Sequence, residues 1–268
     1  MERGDFCSPP TPEPRLWKNW RIDLQNYKLL LAYDGSRYAG WQRLARTEQT
    51  VQGKVETALS RLTGQAVQIC GSGRTDAGVH AEGQVASFRL ETAVDCGVLL
   101  EQLRRYLPED IGALALEPAP ERFHARLSAR RKTYRYRIWN SSLPCVFERK
   151  YVYPVPQPLD AGLMEQEARQ LLGTHDFAAF CTRRSEKKST VRTLEQVRVE
   201  QTGQELRLYY TADGFLYNMA RILTGTLIEI GDGRRPPQTM GVVLESRRRE
   251  LAGYTAPAKG LCLMEVEY

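Results

Sequence analysis

Apolar positions first gather at Tyr27-Lys28-Leu29-Leu30-Leu31-Ala32-Tyr33, which predicts a buried strand stopping at the turn pair Asp34-Gly35. Over residues 51–63, Val51, Val55, Ala58, Leu59 and Leu62 recur at the helical period and make one apolar stripe. Thr50 occupies the N-cap position of that helix, and Gly64 the position of a terminating glycine. The pattern next predicts a strand over 66–71, a glycine-rich loop and a strand over 84–90. A helix over 95–107 follows, with Leu99, Leu100, Leu103 and Leu107 on one side and Pro108 just beyond; a strand over 111–117 closes the segment. The order β-α-β-β-α-β is that of a ferredoxin-like unit.

The second half repeats the order less cleanly. A strand over 132–139 precedes an irregular stretch and a helix over 160–172 that carries Met164, Ala168, Leu171 and Leu172. Strands over 191–200 and 205–212 flank Thr202-Gly203, a hairpin signal. Helices over 215–230 and 237–250 and a strand over 261–267 complete the chain. The expected fold is therefore α+β: two ferredoxin-like βαββαβ units, residues 27–120 and 121–268, with joined antiparallel sheets and a central cleft. Residues 1–26, with Pro9, Pro10, Pro12 and Pro14, are expected to be a flexible extension whose end Trp17 and Trp20 anchor.

Composition narrows the class. With 42% hydrophobic and 26% charged residues over 268 positions, the chain can bury a sizeable core without disulfides or metals. No apolar run approaches the ~20 residues that span a membrane, and the first residues carry no apolar signal region. Cys7, Cys70, Cys96, Cys145, Cys181 and Cys262 are scattered, as free thiols in a reducing cytoplasm would be. His80, His124 and His175 lie far apart, so no zinc site is expected. The net charge of +6 gains meaning from its distribution. Cations cluster at Arg130-Arg131-Lys132, Arg183-Arg184 with Lys187-Lys188, and Arg247-Arg248-Arg249. Each cluster alone reads equally as a solvated face. Together with the interleaved Tyr134-Arg135-Tyr136-Arg137 they point to nucleic acid.

The densest chemical candidate is Gly71-Ser72-Gly73-Arg74-Thr75-Asp76-Ala77-Gly78-Val79-His80-Ala81, between two predicted strands. Its glycines allow close approach by a ligand, and small neighbours leave the Asp76 carboxylate unshielded, with Arg74 near enough to favour ionisation. The alternative is a plain turn in which Asp76 bonds its own backbone. Arg221 interrupts an otherwise apolar helix of Phe215, Met219, Ile222, Leu223 and Ile230. It needs a partner if buried, or lies on an exposed stripe. Gly225, one turn on, permits close approach beside it.

The string Gly73 to Ala81 resembles the active-site signature of TruA-type tRNA pseudouridine synthases. Further segments resemble the same family in the same order: Tyr33 to Gln42, Thr50 to Glu56, Phe123-His124-Ala125-Arg126 through Tyr136, Gly173-Thr174-His175-Asp176-Phe177 with Phe180, Phe215 to Arg221, and Ala256-Pro257 to Tyr268. Ala220 departs from the usual valine, a modest change at an apolar position. The resemblance implies the pseudouridine synthase fold and isomerisation of uridine to pseudouridine in tRNA, at positions 38 to 40 of the anticodon stem-loop, by a homodimer needing no cofactor or metal. It implies catalytic roles for Asp76, for Tyr134 as cover of the flipped base, and for Arg221 as partner of the aspartate. Tyr136 shares the parity of Tyr134, and either tyrosine also reads as a core residue. Contacts to RNA are expected from Arg37, Tyr38, Arg43, Arg74, Arg126, Arg183, Arg184, Lys187 and Lys188. His80 and His124 are assigned to packing or RNA contact, and His175 with Asp176 to a structural turn. Two rivals remain. One is a catalytically silent tRNA-binding or folding protein on the same fold. The other is a glycosidase, which ordinarily needs a second carboxylate that the Asp76 loop lacks.

Overall fold

The structure is a computed structural model that describes residues 24–182 and 189–268. Its strands are β1 (Gln25–Tyr33), β2 (Cys70–Gly71), β3 (His80–Leu90), β4 (Ile111–Pro118), β5 (Arg131–Trp139), β6 (Tyr153–Pro154), β7 (Gly173–Asp176), β8 (Val191–Thr202), β9 (Glu205–Ala212) and β10 (Leu261–Glu267). Its helices are α1 (Val51–Thr63), α2 (Cys96–Tyr106), α3 (Ala161–Arg169), α4 (Met219–Gly231) and α5 (Thr239–Ser246).

Local chemistry sets the helix ends. The Thr50 hydroxyl accepts the Gly53 amide at 3.2 Å, and Gly64 closes α1 in the left-handed region at φ 71°. Asp95 and Asp160 cap α2 and α3 through the amides of Val98 and Leu163, both at 2.9 Å. α5 is shorter than its apolar pattern suggests, because Gln238 and Arg247 adopt positive φ at its two ends. The buried Glu167 carboxylate accepts the amides of Gln238 and Met240 and the Gln170 side chain, and so fastens the start of α5 to α3.

The strands form one mixed sheet in the order β4-β1-β3-β10-β5-β9-β8-β7. Alternate residues of β1 (Tyr27, Leu29, Leu31, Tyr33) and β5 (Tyr134, Tyr136, Ile138) are buried, so one face of the sheet carries the core. The two halves of the chain meet where β10 runs parallel to β3, with Cys262 opposite His80 and Leu263 opposite Ala81. That pairing covers only the start of β3. Its other end is taken by β2, with Cys70 opposite Ser87 and Gly71 opposite Ala86. Since β1 occupies the remaining edge of β3, the sheet forks between β2 and β10.

The expected strand over 66–71 is reduced to Cys70–Gly71. The amides of Val67 and Ile69 are taken by the Ser60 hydroxyl and the Glu56 carboxylate of α1 and not by a ladder. α4 begins at Met219 and not at 215, after Asn218 turns the chain at φ 62°.

α4 lies against the segment that leads to β10. A Cβ on Gly225 would stand 1.9 Å from the Tyr254 carbonyl oxygen, so only glycine fits there. Gly225→Ala is therefore expected to cost about 2–3 kcal/mol through overpacking, lowering the thermal midpoint by roughly 5–10 °C. Thermal unfolding checks this, and an unchanged midpoint would mean that α4 and the 252–256 segment are not in contact as described.

Candidate active site

Between β2 and β3 the chain runs from Ser72 to Val79 across the mouth of the fork. Gln84 of β3, fully buried, organises the base of this loop. Its side-chain amide donates to the Gly73 carbonyl at 3.1 Å, and its oxygen accepts the Ser72 hydroxyl at 2.6 Å. Higher up, the Thr75 and Tyr33 hydroxyls share a hydrogen bond of 2.8 Å, and the Trp41 amide donates to the Thr75 carbonyl at 3.0 Å. The Val79 amide closes the turn on the Asp76 carbonyl at 3.1 Å. The loop is thus tied to β1, to β3 and to the segment before α1.

Asp76 stands on this braced loop, and its Oδ2 lies 3.3 Å from Nη1 of Arg221. The pair is half-buried, at 23% and 17% side-chain exposure. Arg221 comes from the first turn of α4, in the other half of the chain. Its Nε donates to the Ala256 carbonyl at 2.7 Å and its Nη1 also to Asn218 Oδ1 at 2.9 Å. These bonds leave the guanidinium few rotamers, so it presents one edge to the carboxylate. The isolated cation that the sequence showed inside an apolar helix therefore faces the cleft with the aspartate as partner.

Tyr134 of β5 completes the site. It is 7% exposed, and the Phe215 ring meets it edge-on with centroids 4.8 Å apart. Burial, and after it the nearness of Tyr33 and Asp76, push its phenol well above the usual range. It stays protonated near neutral pH and serves as a donor or an apolar wall. Tyr136 is fully buried and donates its hydroxyl to the Pro257 carbonyl at 2.7 Å, which makes it a core residue that braces the strand–strand seam.

The other residues singled out in the sequence divide. Arg74, on the loop, and Arg126 are exposed. Arg37 is exposed but paired with Asp110 at 2.7 Å, and Arg43 is paired with Glu56 at 3.2 Å. Tyr38 is 5% exposed, and its hydroxyl donates at 2.5 Å to Asp110, the carboxylate that also pairs with Arg37. Arg183, Arg184, Lys187 and Lys188 lie outside the described residues. His80 is packed: Nδ1 accepts the Gly35 amide at 3.0 Å, and burial lowers its basicity, offset in part by Asp34. His124 Nδ1 accepts the amides of Arg126 and Leu127, and Asp176 caps the following turn through the Ala178 amide. Sequence reasoning gave no role in the site to Gln84, Ser72, Tyr33 or Asn218, and counted Lys132 only within a basic cluster. The one available signal was Gln84, a lone amide within an apolar strand.

A carboxylate held beside a guanidinium, with a protonated phenol and an aromatic edge nearby, can receive a flat polar ring and stabilise charge that develops next to it. The comparisons with known proteins agree with that chemistry. A sequence profile of the tRNA pseudouridine synthase family matches residues 30–127 and 168–268. The chain is 49% identical over 243 residues to a tRNA pseudouridine synthase A of Moorella thermoacetica, covering 90% of this chain and 98% of that protein. It is 43% identical over 245 residues to one from Bacillus sp. (strain KSM-64) and 42% identical over 245 residues to one from Acetivibrio thermocellus; each match covers 91% of this chain and all of the relative. On this similarity, carried through the very segments that build the fork, the chain belongs to the tRNA pseudouridine synthase family.

Proposed function

We propose that this protein isomerises uridine to pseudouridine in tRNA, at positions 38 to 40 of the anticodon stem-loop, with Asp76 as the catalytic carboxylate. The observation that carries this reading is the Asp76–Arg221 contact at 3.3 Å in the fork of the sheet, with the buried phenol of Tyr134 near enough to feel the Asp76 charge. In the reaction the C1′–N1 bond breaks, the uracil turns over, and a C1′–C5 bond forms; the hydrogen at C5 leaves as a proton and N1 gains one. Product and substrate are isomers, so the stoichiometry calls for no oxidant, reductant or group donor.

The target nucleotide has to leave its stack, and the few-kcal/mol cost of that step is met by contacts in the site and along the backbone. Tyr134 and Phe215 supply the aromatic surface on which the flipped base rests. The Asp76 carboxylate acts at the breaking glycosidic bond as nucleophile or as electrostatic partner. Arg221 fixes its orientation. The buried phenol of Tyr134 is suited to donate a hydrogen bond to the base while it turns.

The same reading extends to the architecture and setting. Strand order supports two ferredoxin-like units, divided near residue 120: within each half the last strand neighbours the first, and the first neighbours the last but one, as in β4-β1-β3 and β10-β5-β9-β8. The enzyme is read as a cytoplasmic homodimer, by kinship with the family and by its scattered cysteines. Arg183, Arg184, Lys187 and Lys188 are read as further phosphate contacts.

Pseudouridine formation on an unmodified tRNA transcript, followed by tritium release from C5-labelled uridine, tests the reading. Asp76→Asn is expected to slow turnover more than about a thousandfold while tRNA binding is retained. Equal turnover in both proteins would remove Asp76 from the chemistry, and no turnover in either, with tRNA bound, would favour a silent RNA-binding protein. Arg221→Met is expected to lower kcat about a hundredfold with little change in tRNA affinity; a loss confined to KM would reassign it to binding. Replacing Arg183, Arg184, Lys187 and Lys188 together by alanine is expected to weaken tRNA binding and flatten its salt dependence. An unchanged slope in a binding titration would discard that role.

A further inference from the structure

Lys132 begins the inward-facing row of β5, opposite Ala212 of β9 and Val266 of β10. Its side chain spans the fork, and Nζ donates to the Ser72 carbonyl at 2.6 Å, at the stalk of the Asp76 loop. An ammonium carries three donors, and this is the one hydrogen bond that it makes among the described residues. Neither Lys132 nor its cationic neighbours Arg126 and Arg192 lie within ion-pair distance of a carboxylate among the described residues. The contrast along the same strand is sharp. Arg131 is paired with Glu195 and Glu267, Arg135 with Glu82, and Arg137 with Glu148 and Glu205. β5 therefore neutralises the cations on its outer face and leaves the inward one, Lys132, without an anion.

The register brings Arg192 to the same place. Lys132, Ala212 and Leu194 form one cross-strand row, and Arg192 precedes Leu194 by two residues on β8. Its stem lies against Gly214, and its Nη1 donates to the carbonyls of Ser189 and Val191. Arg126 follows Ala125, whose amide anchors this turn on the Ser87 hydroxyl of β3 at 3.1 Å, and its charge is felt at Lys132. Burial, and then the charges of Arg126 and Arg192, lower the Lys132 ammonium to about 8, a cost that an anion among the three would relieve. Lys132 stands two residues from Tyr134 on the same face, about 7 Å along the strand. An anion held there adjoins whatever occupies the space beneath Tyr134.

We propose that Lys132, Arg126 and Arg192 form a phosphate-binding subsite that grips a backbone phosphate of the tRNA next to the target uridine. The proposal rests on the reading of the Asp76 loop as the catalytic one. Lys132 thereby couples the substrate backbone to the stalk of that loop, since the ammonium that binds the phosphate also holds the Ser72 carbonyl.

The test is equilibrium binding of synthetic RNA stem-loops to the full chain, some with a single neutral methylphosphonate linkage beside the target uridine. Lys132→Gln keeps an N–H donor for the Ser72 carbonyl and removes the charge. It is expected to weaken binding about tenfold and to lower the salt slope by about one, with Lys132→Arg close to wild type. A neutral linkage at the gripped phosphate is expected to weaken wild-type binding by a similar factor, with no further loss in Lys132→Gln. Arg192→Gln, which leaves the stalk bond untouched, is expected to show the same losses and covers the case of a poorly folded Lys132 variant. Wild-type affinity and salt slope in Lys132→Gln and Arg192→Gln would overturn the proposal, as would losses that simply add for every linkage. The readout is binding and not turnover, so failure of the Asp76 assignment would appear separately in the tritium assay.

Discussion

The contact between Asp76 and Arg221 joins residues 145 positions apart, and the rest of the structure is arranged to hold it. Two charged groups, each mostly withdrawn from water, are worth bringing together only if the geometry is fixed on both sides. One side is the loop braced through Gln84, Thr75 and Trp41. The other is the first turn of α4, locked against the 252–256 segment by the Ala256 carbonyl and by the space at Gly225. The two sides meet because β10 and β3 run side by side for just two residue pairs before they part. A longer pairing would close the fork, and none at all would leave the halves unregistered.

β2 and β10 compete for one edge of β3, each taking one end. The gap between them is floored by the Ser72–Gln84 bond, walled by Tyr134 and Phe215, and crossed by Lys132. The same sheet thus supplies rigidity, through cross-strand pairs such as Arg137–Glu205.

Much of this was legible in the sequence where the determinants are local. Thr50 and Gly64 mark α1 because a cap and a left-handed glycine act within one turn. Arg221 stood out because a cation in an apolar helix demands a partner, and Gly225 announced the close approach beside it. What escaped depends on groups brought from elsewhere. Residues 66–69 look like a strand, yet their amides are claimed by Ser60 and Glu56 of α1. The ends of α5 are set by positive φ at Gln238 and Arg247, which carry no glycine signal. The run Arg130-Arg131-Lys132 reads as one basic patch, but strand parity sends Arg131 outward to Glu267 and Lys132 inward to Ser72. Tyr38 was expected to contact RNA with Arg37; its ring is buried, and the Asp110 carboxylate binds both side chains.

The central claim is that the fork receives the target uridine between Asp76 and Tyr134. A crystal structure of the Asp76→Asn protein bound to a tRNA carrying its target uridine tests it most directly. The account predicts the uridine out of its stack, the Tyr134 ring against the base, and the residue 76 side chain within about 3.5 Å of the uracil ring or of C1′. A target uridine still stacked in the RNA, or lodged outside the fork with Tyr134 touching protein alone, would contradict it.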